Sequence, residues 1–554
     1  MTADQNEAAH NEVDSWIVQK FGGTSIGKYP LNVVENVIKP ATRYHQVVVV
    51  CSALSVSTKS EGTTNRLLQA YRHCLSTDFE RSNLLVQNIR IEHTSAAYDY
   101  IKSPILIAEL VQEIDQECER VVQLLRATKI IGHGTSYIMD KVISTGERLA
   151  CFFVSAALRD RGITSETIDF SEIVPSLIQS TMDQSFYHSL SDTMAKRIRR
   201  CQATVPVVTG FFGPIDRGLL TQIGRGYTDF CASMISVGLQ AQELQVWKEV
   251  EGIFTADPSK VPNAKMLPVI SSEEASELTF HGSEVIHYAA MRLAMRASVS
   301  MRIKNVLNPQ APGTLVVDDW KGLSPSPLTP LSIDCAAVQE PLLYMYDGGP
   351  PTPIAITSKD KILLINIRSA ERLKAHSFLA GIFSVFDRWN LSIDLICTSE
   401  VRVSIALHSE VPLITGDDED DLQPVRQELK SAIKQLQDYG DVELLHNRTI
   451  VSLVGKQVRR ALGVTGQMFS TLSENRIKIE MITHGASEIS TSCVVQEQEA
   501  GRAVALLHAV FFSAHENQPS SALSKSRTDV ALTMQGSAGG SRLKYDRGLL
   551  AVTG

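Results

Sequence analysis

The chain has no apolar run of the roughly 20 residues that a membrane-spanning helix needs, and no membrane partner is expected. It has no C-x-x-C pair. Nine cysteines stand singly at 51, 74, 118, 151, 201, 231, 335, 397 and 493, most of them inside apolar runs such as residues 47–51. That argues against a zinc ribbon or a disulfide framework and predicts reduced, mostly buried thiols in a cytoplasmic protein. Positive charge is short as well. The 53 Lys and Arg against 61 Asp and Glu leave a net charge of -8, so nothing favours nucleic acid or an anionic membrane as a partner. The first 14 residues are polar and acidic, without the features of a targeting peptide. Residues 1–15 are expected to form a disordered lead.

What is present is an ordinary globular composition, 44% hydrophobic and 21% charged, over 554 residues. That length exceeds one core and predicts about two to four domains. Three zones follow. Residues 16–320 alternate apolar strand patterns (47–50, 163–168, 205–209, 244–247) with helical spacing (105–127, 146–160). This alternation predicts an α/β fold with a mainly parallel sheet between helix layers. Residues 321–353 carry seven prolines and a Gly-Gly-Pro-Pro run, the composition of a linker. The Ser- and Gly-rich tail, 514–554, is expected to be disordered.

Between linker and tail the sequence repeats itself at an offset of 86 residues: Ile365 with Val451, Phe383 with Phe469, Asp394 with Glu480, Ser404 with Ser490. Each copy predicts strand, helix, strand, strand, helix. The first copy takes 362–367, 373–389, 391–397, 401–407 and 422–436. The second takes 450–454, 459–474, 477–483, 490–495 and 500–512. Two modules result, 354–440 and 445–513. The second is one strand short, and residues 353–357, ahead of the first copy, are expected to fill the gap.

Chemistry concentrates in the first zone. An apolar run ends in Lys20-Phe21-Gly22-Gly23-Thr24-Ser25. Glycines let a backbone approach an anion and turn N–H groups toward it, while lysine and hydroxyls add charge and donors. Tyr29, standing where the Mg²⁺-binding hydroxyl belongs, argues against a P-loop, and a dinucleotide fold fails because no G-x-G-x-x-G follows a strand. Glu147, in Ser144-Thr145-Gly146-Glu147, is either a site carboxylate at a loop-to-helix junction or the partner of a Ser144 capping box. In Gly224-Arg225-Gly226-Tyr227-Thr228-Asp229, Arg225 suits a bidentate carboxylate clamp and Asp229 suits orienting Lys20. The alternative is that Thr228 or Asp229 is a plain helix N-cap.

Taken together, in this order, these residues resemble one family. Residues 20–25 match the K-F-G-G-T-S of aspartate kinases, 144–147 their S-T-G-E, and 224–229 their G-R-G-x-[ST]-D. Residues 246–258 resemble their nucleotide loop and 273–287 the helix after it. The stretch Lys59-Ser60-Glu61-Gly62-Thr63-Thr64 looks like fungal members. The resemblance implies an amino acid kinase fold followed by two α+β, ferredoxin-like ACT domains. It also implies ATP-dependent phosphorylation of the L-aspartate side-chain carboxylate, with Mg²⁺ carried by the nucleotide phosphates and no metal site of the protein's own. By the same resemblance Lys20 and Asp229 are catalytic. Ser52, Ala53, Thr64, Glu147, Arg225 and Thr228 bind aspartate. Lys20, Gly22, Gly23, Thr24, Lys248, Glu249, Phe254 and Asp257 bind ATP. The ACT pair implies a homo-oligomer and an L-threonine effector, with Phe378, Gly381, Asp394, Gly466 and Glu480 in the effector zone.

The chain departs from the pattern in places. The family's V-D-G is Val250-Glu251-Gly252, and its D-P-R is Asp257-Pro258-Ser259. The arginine that would reach the nucleotide is missing, and Lys260 is the expected substitute. V-I-H-P becomes Val285-Ile286-His287-Tyr288, and Arg402, after Thr398-Ser399-Glu400-Val401, stands where relatives often carry histidine. Beside the aspartate kinase stand a paralogue serving a specialised-metabolite pathway with altered feedback, a non-catalytic amino-acid sensor, and a kinase for a related acid such as glutamate, against which the module pair and the loop 246–258 argue.

Overall fold

The computed structural model describes residues 15–55, 62–76, 78–174, 183–215, 218–224, 226–282, 286–318, 353–369, 375–409, 414–415, 423–456, 458, 463–484 and 489–512. The expected lead and tail, most of the linker, and Arg225 lie outside the described residues. Of two compact units, 1–508 and 509–554, all that follows concerns the first. Of the second, only residues 509–512 are described.

Eight strands build the first sheet: β1 (Trp16–Phe21), β2 (Gln46–Cys51), β3 (Ser165–Ile168), β4 (Val205–Thr209), β5 (Glu243–Lys248), β6 (Val269–Ser271), β7 (Ser300–Asn305) and β8 (Thr314–Val317). Their order is β3-β4-β2-β1-β5-β7-β8-β6, parallel throughout except for β7 against β8. Alternate residues of each strand feed cores on opposite faces. Val48, Val50, Leu244 and Val246 enter one core; Val47, Val49, Phe21 and Trp247 enter the other. A strand buried on both faces needs an unbroken apolar run, which explains Val47 to Val50. Each such side chain contributes roughly 1.5–3 kcal/mol by leaving water. Strand β1 lies between β2 and β5, so chain order reverses there. The carboxyl ends of strands at such a switch point form the natural binding crevice of an α/β sheet.

One helix differs from its sequence expectation in a way that matters. The helix expected at 146–160 is Ser136–Asp160, capped by Thr135, which accepts from the Ile138 N–H at 3.3 Å. Glu147 therefore sits in mid-helix, not at a junction, and the Ser144 capping box is absent.

The second sheet has the order β10-β11-β9-β14-β16-β15. Its strands are β9 (Ala355–Ser369), β10 (Leu395–Thr398), β11 (Arg402–His408), β14 (Gly440–Val454), β15 (Met481–Thr483) and β16 (Ser490–Gln496). A small separate pair, β12 (Ile414–Thr415) and β13 (Gln423–Pro424), stands apart from it. Strands β9 and β14 run through both modules. Ile362 to Ser369 pair within the first, and Ala355 pairs with Val454 and Thr357 with Ser452 within the second, with register shifts around Arg448. The strand missing from the second copy is thus supplied from ahead of the first, as the repeat predicted. Two helices are shorter than expected: Gln427–Leu436 follows β13, and Val464–Glu474 starts after Gly463, whose φ of 91° favours glycine.

Candidate active site

Lys20 ends a buried strand. Its Nζ lies 2.7 Å from Asp229 Oδ1, and both residues are buried. Burial alone would raise the Asp229 carboxyl. The Lys20 ammonium, with Lys248 and His287, outweighs that and holds it below the usual carboxylate range. Past Phe21 the chain turns at Gly22 into a short helix, Gly23–Lys28. Gly23 is forced by packing: a Cβ there would stand 2.0 Å from the Ala53 carbonyl oxygen. Its own carbonyl accepts from the Ser55 N–H at 3.1 Å. Gly22 is different. A Cβ there would meet no protein atom within 4 Å and would project into the cavity that Gly22 lines. Such a backbone cradle fits an anion brought close to the chain. Ser25 Oγ donates to Glu249 Oε1 at 2.7 Å, tying the loop after β1 to the loop after β5.

Glu147 points into the same cavity from the middle of its helix. Gly146 makes this possible by letting the helix approach Ala53, whose Cβ would lie 2.9 Å from a Cβ at 146. Thr228 Oγ1 donates to Glu147 Oε1 at 2.7 Å. Burial pushes the Glu147 carboxyl up to about 7, against the opposing pull of Thr228, Tyr227, the Phe211 backbone and the Lys20 charge. Thr228 and Asp229 lie in the first turn of the helix Tyr227–Leu239, whose N-cap is Gly226. Neither is the cap, so both side chains are left for other work. Gly226 is held under His287, whose ring a Cβ would meet at 2.4 Å. His287 Nε2 bonds the Ile223 carbonyl at 3.0 Å.

Together these groups surround a cavity of about 490 Å³. The structure brings to it Lys20, Gly22, Gly23, Thr24, Lys248 and Glu249 from the expected nucleotide set, and Ser52, Ala53, Thr64, Glu147, Thr228 and Asp229 from the rest. Phe254 and Asp257 instead line an adjoining cavity of about 250 Å³, which shares Lys248 and is walled on one side by Ile356, Thr357 and Ser358 of β9. Asp257 Oδ1 is turned back on its own loop, accepting from the Ser259 N–H at 2.9 Å and Ser259 Oγ at 2.7 Å. Lys260 does not take the place of the missing arginine. Its Nζ bonds Ser358 Oγ at 2.8 Å and Asp360 Oδ2 at 2.9 Å. Glu251 is occupied by Asn305 Nδ2 at 3.1 Å.

Of the expected effector zone, Phe378 is buried in the core of the first module. Gly381 packs against the Tyr439 ring, 2.2 Å from a Cβ at that position, so both of these have packing roles. Asp394 is paired with Lys359. Glu480 lies 3.0 Å from Lys478 Nζ and 3.8 Å from Arg448. Gly466 has open space at its Cβ.

Sequence reasoning missed two buried groups near Glu147. Tyr227, the variable position of its motif, is a wholly buried phenol that hydrogen-bonds to Glu147 and Thr64, and burial drives its pKa well up. Asp140 lies two helical turns before Glu147 and accepts from the Leu219 N–H at 3.0 Å. The seven-residue spacing on one helix face was the available signal.

Comparison with known proteins agrees with this geometry. Residues 15–305 match the amino acid kinase family and 451–511 an ACT domain. The chain is 43% identical to the aspartokinase of Schizosaccharomyces pombe over 89% of its length and 92% of that protein. It is also 43% identical to that of Saccharomyces cerevisiae, over 91% and 94%. Against the aspartate kinase FUB3 of Gibberella moniliformis the identity is 38%, over 90% and 98%. Among solved structures, Escherichia coli aspartokinase III in complex with aspartate and ADP superposes with a TM-score of 0.67 at 25% identity, covering 90% of this chain and all of that one. The sheet order, the Lys20–Asp229 and Glu147–Thr228 contacts and these near full-length relatives lead to one conclusion: the chain belongs to the aspartokinase family of amino acid kinases.

Proposed function

We propose that the cavity at the carboxyl ends of β1, β2 and β5 is where this aspartate kinase brings ATP to the side-chain carboxylate of L-aspartate, giving 4-phospho-L-aspartate and ADP. One observation carries the reading. A buried lysine beside a glycine cradle and a buried carboxylate that can hold an ammonium line the same cavity.

A carboxylate attacking a phosphoryl group brings two anions together, so catalysis is mainly positioning and charge neutralisation. Lys20, aligned by Asp229, faces the transferring phosphoryl group, and Lys248 adds a second positive charge. Gly22, Gly23 and Thr24 offer N–H donors to phosphate oxygens. Mg²⁺ carried by the nucleotide phosphates would supply further neutralisation, and Asp229 and Glu249, which line the cavity, would be the carboxylates available to it. Glu147, oriented by Thr228, holds the aspartate ammonium. Ser52, Ala53 and Thr64 shape the pocket, and Arg225 clamps the α-carboxylate. Phe254 and Asp257 form the outer side of the nucleotide site.

Residues 16–320 are the catalytic domain in this reading, with regulatory modules at 354–440 and 445–513 that take L-threonine and associate between copies of the chain. A cytoplasmic setting suits the thiols, since Cys51, Cys74, Cys118, Cys151, Cys231 and Cys493 are buried and free. No helix among the described residues is long and apolar enough to cross a membrane. The test is incubation with ATP, Mg²⁺, hydroxylamine and either aspartate or glutamate. Acyl hydroxamate forms with aspartate and not with glutamate. No hydroxamate with aspartate overturns the reading in favour of an amino-acid sensor.

A further inference from the structure

Lys260 lies at the end of the nucleotide loop yet spends its charge on the regulatory sheet. The loop is braced locally, because the N–H groups of Lys260 and Val261 both donate to the Asp257 carbonyl, at 3.0 and 2.9 Å. From this braced turn the Lys260 ammonium reaches Ser358 and Asp360 of β9. Asp360 is itself fixed, its Oδ1 accepting from Thr449 Oγ1 at 3.0 Å and its carbonyl bonded to His408 Nδ1 at 3.0 Å. A main-chain bond from the Ile356 N–H to the Thr255 carbonyl, 2.8 Å, runs beside the ion pair. Between these two attachments lies the adjoining cavity, with Phe254 and Pro258 on one wall and Ile356 and Thr357 on the other.

We propose that Lys260 is a positioning residue for the nucleotide: through Asp360 it holds the loop against β9, so that a regulatory strand sets the width of the outer nucleotide cavity. This rests on the reading of that loop as the ATP side of the site. The departure at Ser259 then has a structural sense. The loop has no arginine to reach the nucleotide at that position and is shaped instead by a lysine pulling from the next.

The experiment compares wild type with Lys260→Met, Lys260→Arg, Asp360→Asn and the Lys260→Met/Asp360→Asn double variant. The pair is partly exposed, so the expected effect is moderate, a rise of about threefold to fivefold in KM for ATP in each neutral single variant. Lys260→Arg stays near wild type, and the double variant is no worse than either single. kcat and KM for aspartate stay within about twofold. Unchanged KM for ATP in both single variants, or an equal rise in KM for aspartate, overturns the proposal. Asp360→Asn keeps the side-chain shape and covers the case in which Lys260→Met fails to fold. If the wild type makes no hydroxamate, the kinase reading has failed separately. Titration of the same proteins with MgADP then decides, a threefold to fivefold weaker Kd supporting the latch and an unchanged Kd overturning it.

Discussion

Lys20 Nζ stands 2.7 Å from Asp229 Oδ1, a contact that joins the end of β1 to the first turn of the helix Tyr227–Leu239. The pair is buried, so the carboxylate both neutralises the lysine and fixes where its charge points. Replacing Lys20 with alanine removes a preorganised charge and should lower kcat by about a hundredfold or more. Asp229→Asn leaves the lysine in place but unaligned and should lower kcat by less. Hydroxamate formation rates measure both. A Lys20→Ala enzyme within threefold of wild type would refute the assignment.

Glu147 predicts a pH dependence with a definite sign. Its ordinary value is 4.5, and burial lifts it to about 7 in the folded protein. Only the ionised form can hold the aspartate ammonium. kcat/KM for aspartate should therefore fall below pH 7, approaching tenfold per unit. For stability the direction is opposite. A carboxyl whose folded value is raised destabilises the fold increasingly as pH climbs from 4.5 to 7, and by a constant amount above. That amount is on the order of 3 kcal/mol. Glu147→Gln should thus melt higher than wild type at pH 8, show no such gain at pH 4.5, and bind aspartate poorly. Melting curves at the two pH values, with KM for aspartate, check each part.

The two adjacent glycines should fail in different ways. At Gly23 a methyl group would overlap the Ala53 carbonyl at 2.0 Å, backbone against backbone, so Gly23→Ala should displace the loop and lower the melting temperature. Gly22→Ala meets no protein atom. It should melt like wild type and raise KM for ATP about tenfold or more, because the methyl group occupies space needed by phosphate. Equal melting losses in the two variants would count against this division.

Much of this site was legible in the sequence because its chemistry is local. Lys20 follows an apolar run and precedes two glycines, and Thr228 with Asp229 stands next to a glycine-flanked loop. The strand order that brings these segments together followed only in outline, since alternating periods predict a parallel sheet but not which strands neighbour β1. Two readings failed for related reasons. Glu147 suggested a helix start because Ser144 and Glu147 have capping spacing, but the apolar face of Ile138, Val142 and Ile143 extends the helix back to Ser136. Lys260 suggested a substitute for the missing nucleotide-contacting arginine because it is the next residue in sequence. Its partner, Asp360, lies a hundred residues away, and no local pattern encodes that. The extra strand of the second module could be anticipated because a repeat exposes what one copy lacks.

Asp394 lies in the proposed effector zone and is a carboxylate suited to an amino acid's ammonium, and in the structure it is already engaged. It pairs with Lys359 and accepts from the His408 N–H at 2.6 Å. An effector ammonium bound at Asp394 would have to displace the Lys359 ammonium, which would then act as a built-in competitor. Lys359→Met should therefore lower the threonine concentration needed for half-inhibition, by about threefold or more, a modest factor because the pair is partly hydrated. Asp394→Asn should abolish the response, since the neutral amide offers no charge to hold an ammonium. Inhibition curves at fixed ATP and aspartate measure both. Threonine inhibition that survives intact in Asp394→Asn would move the effector away from this carboxylate, and Glu480, which faces Lys478 in the second module, would be the next group to substitute.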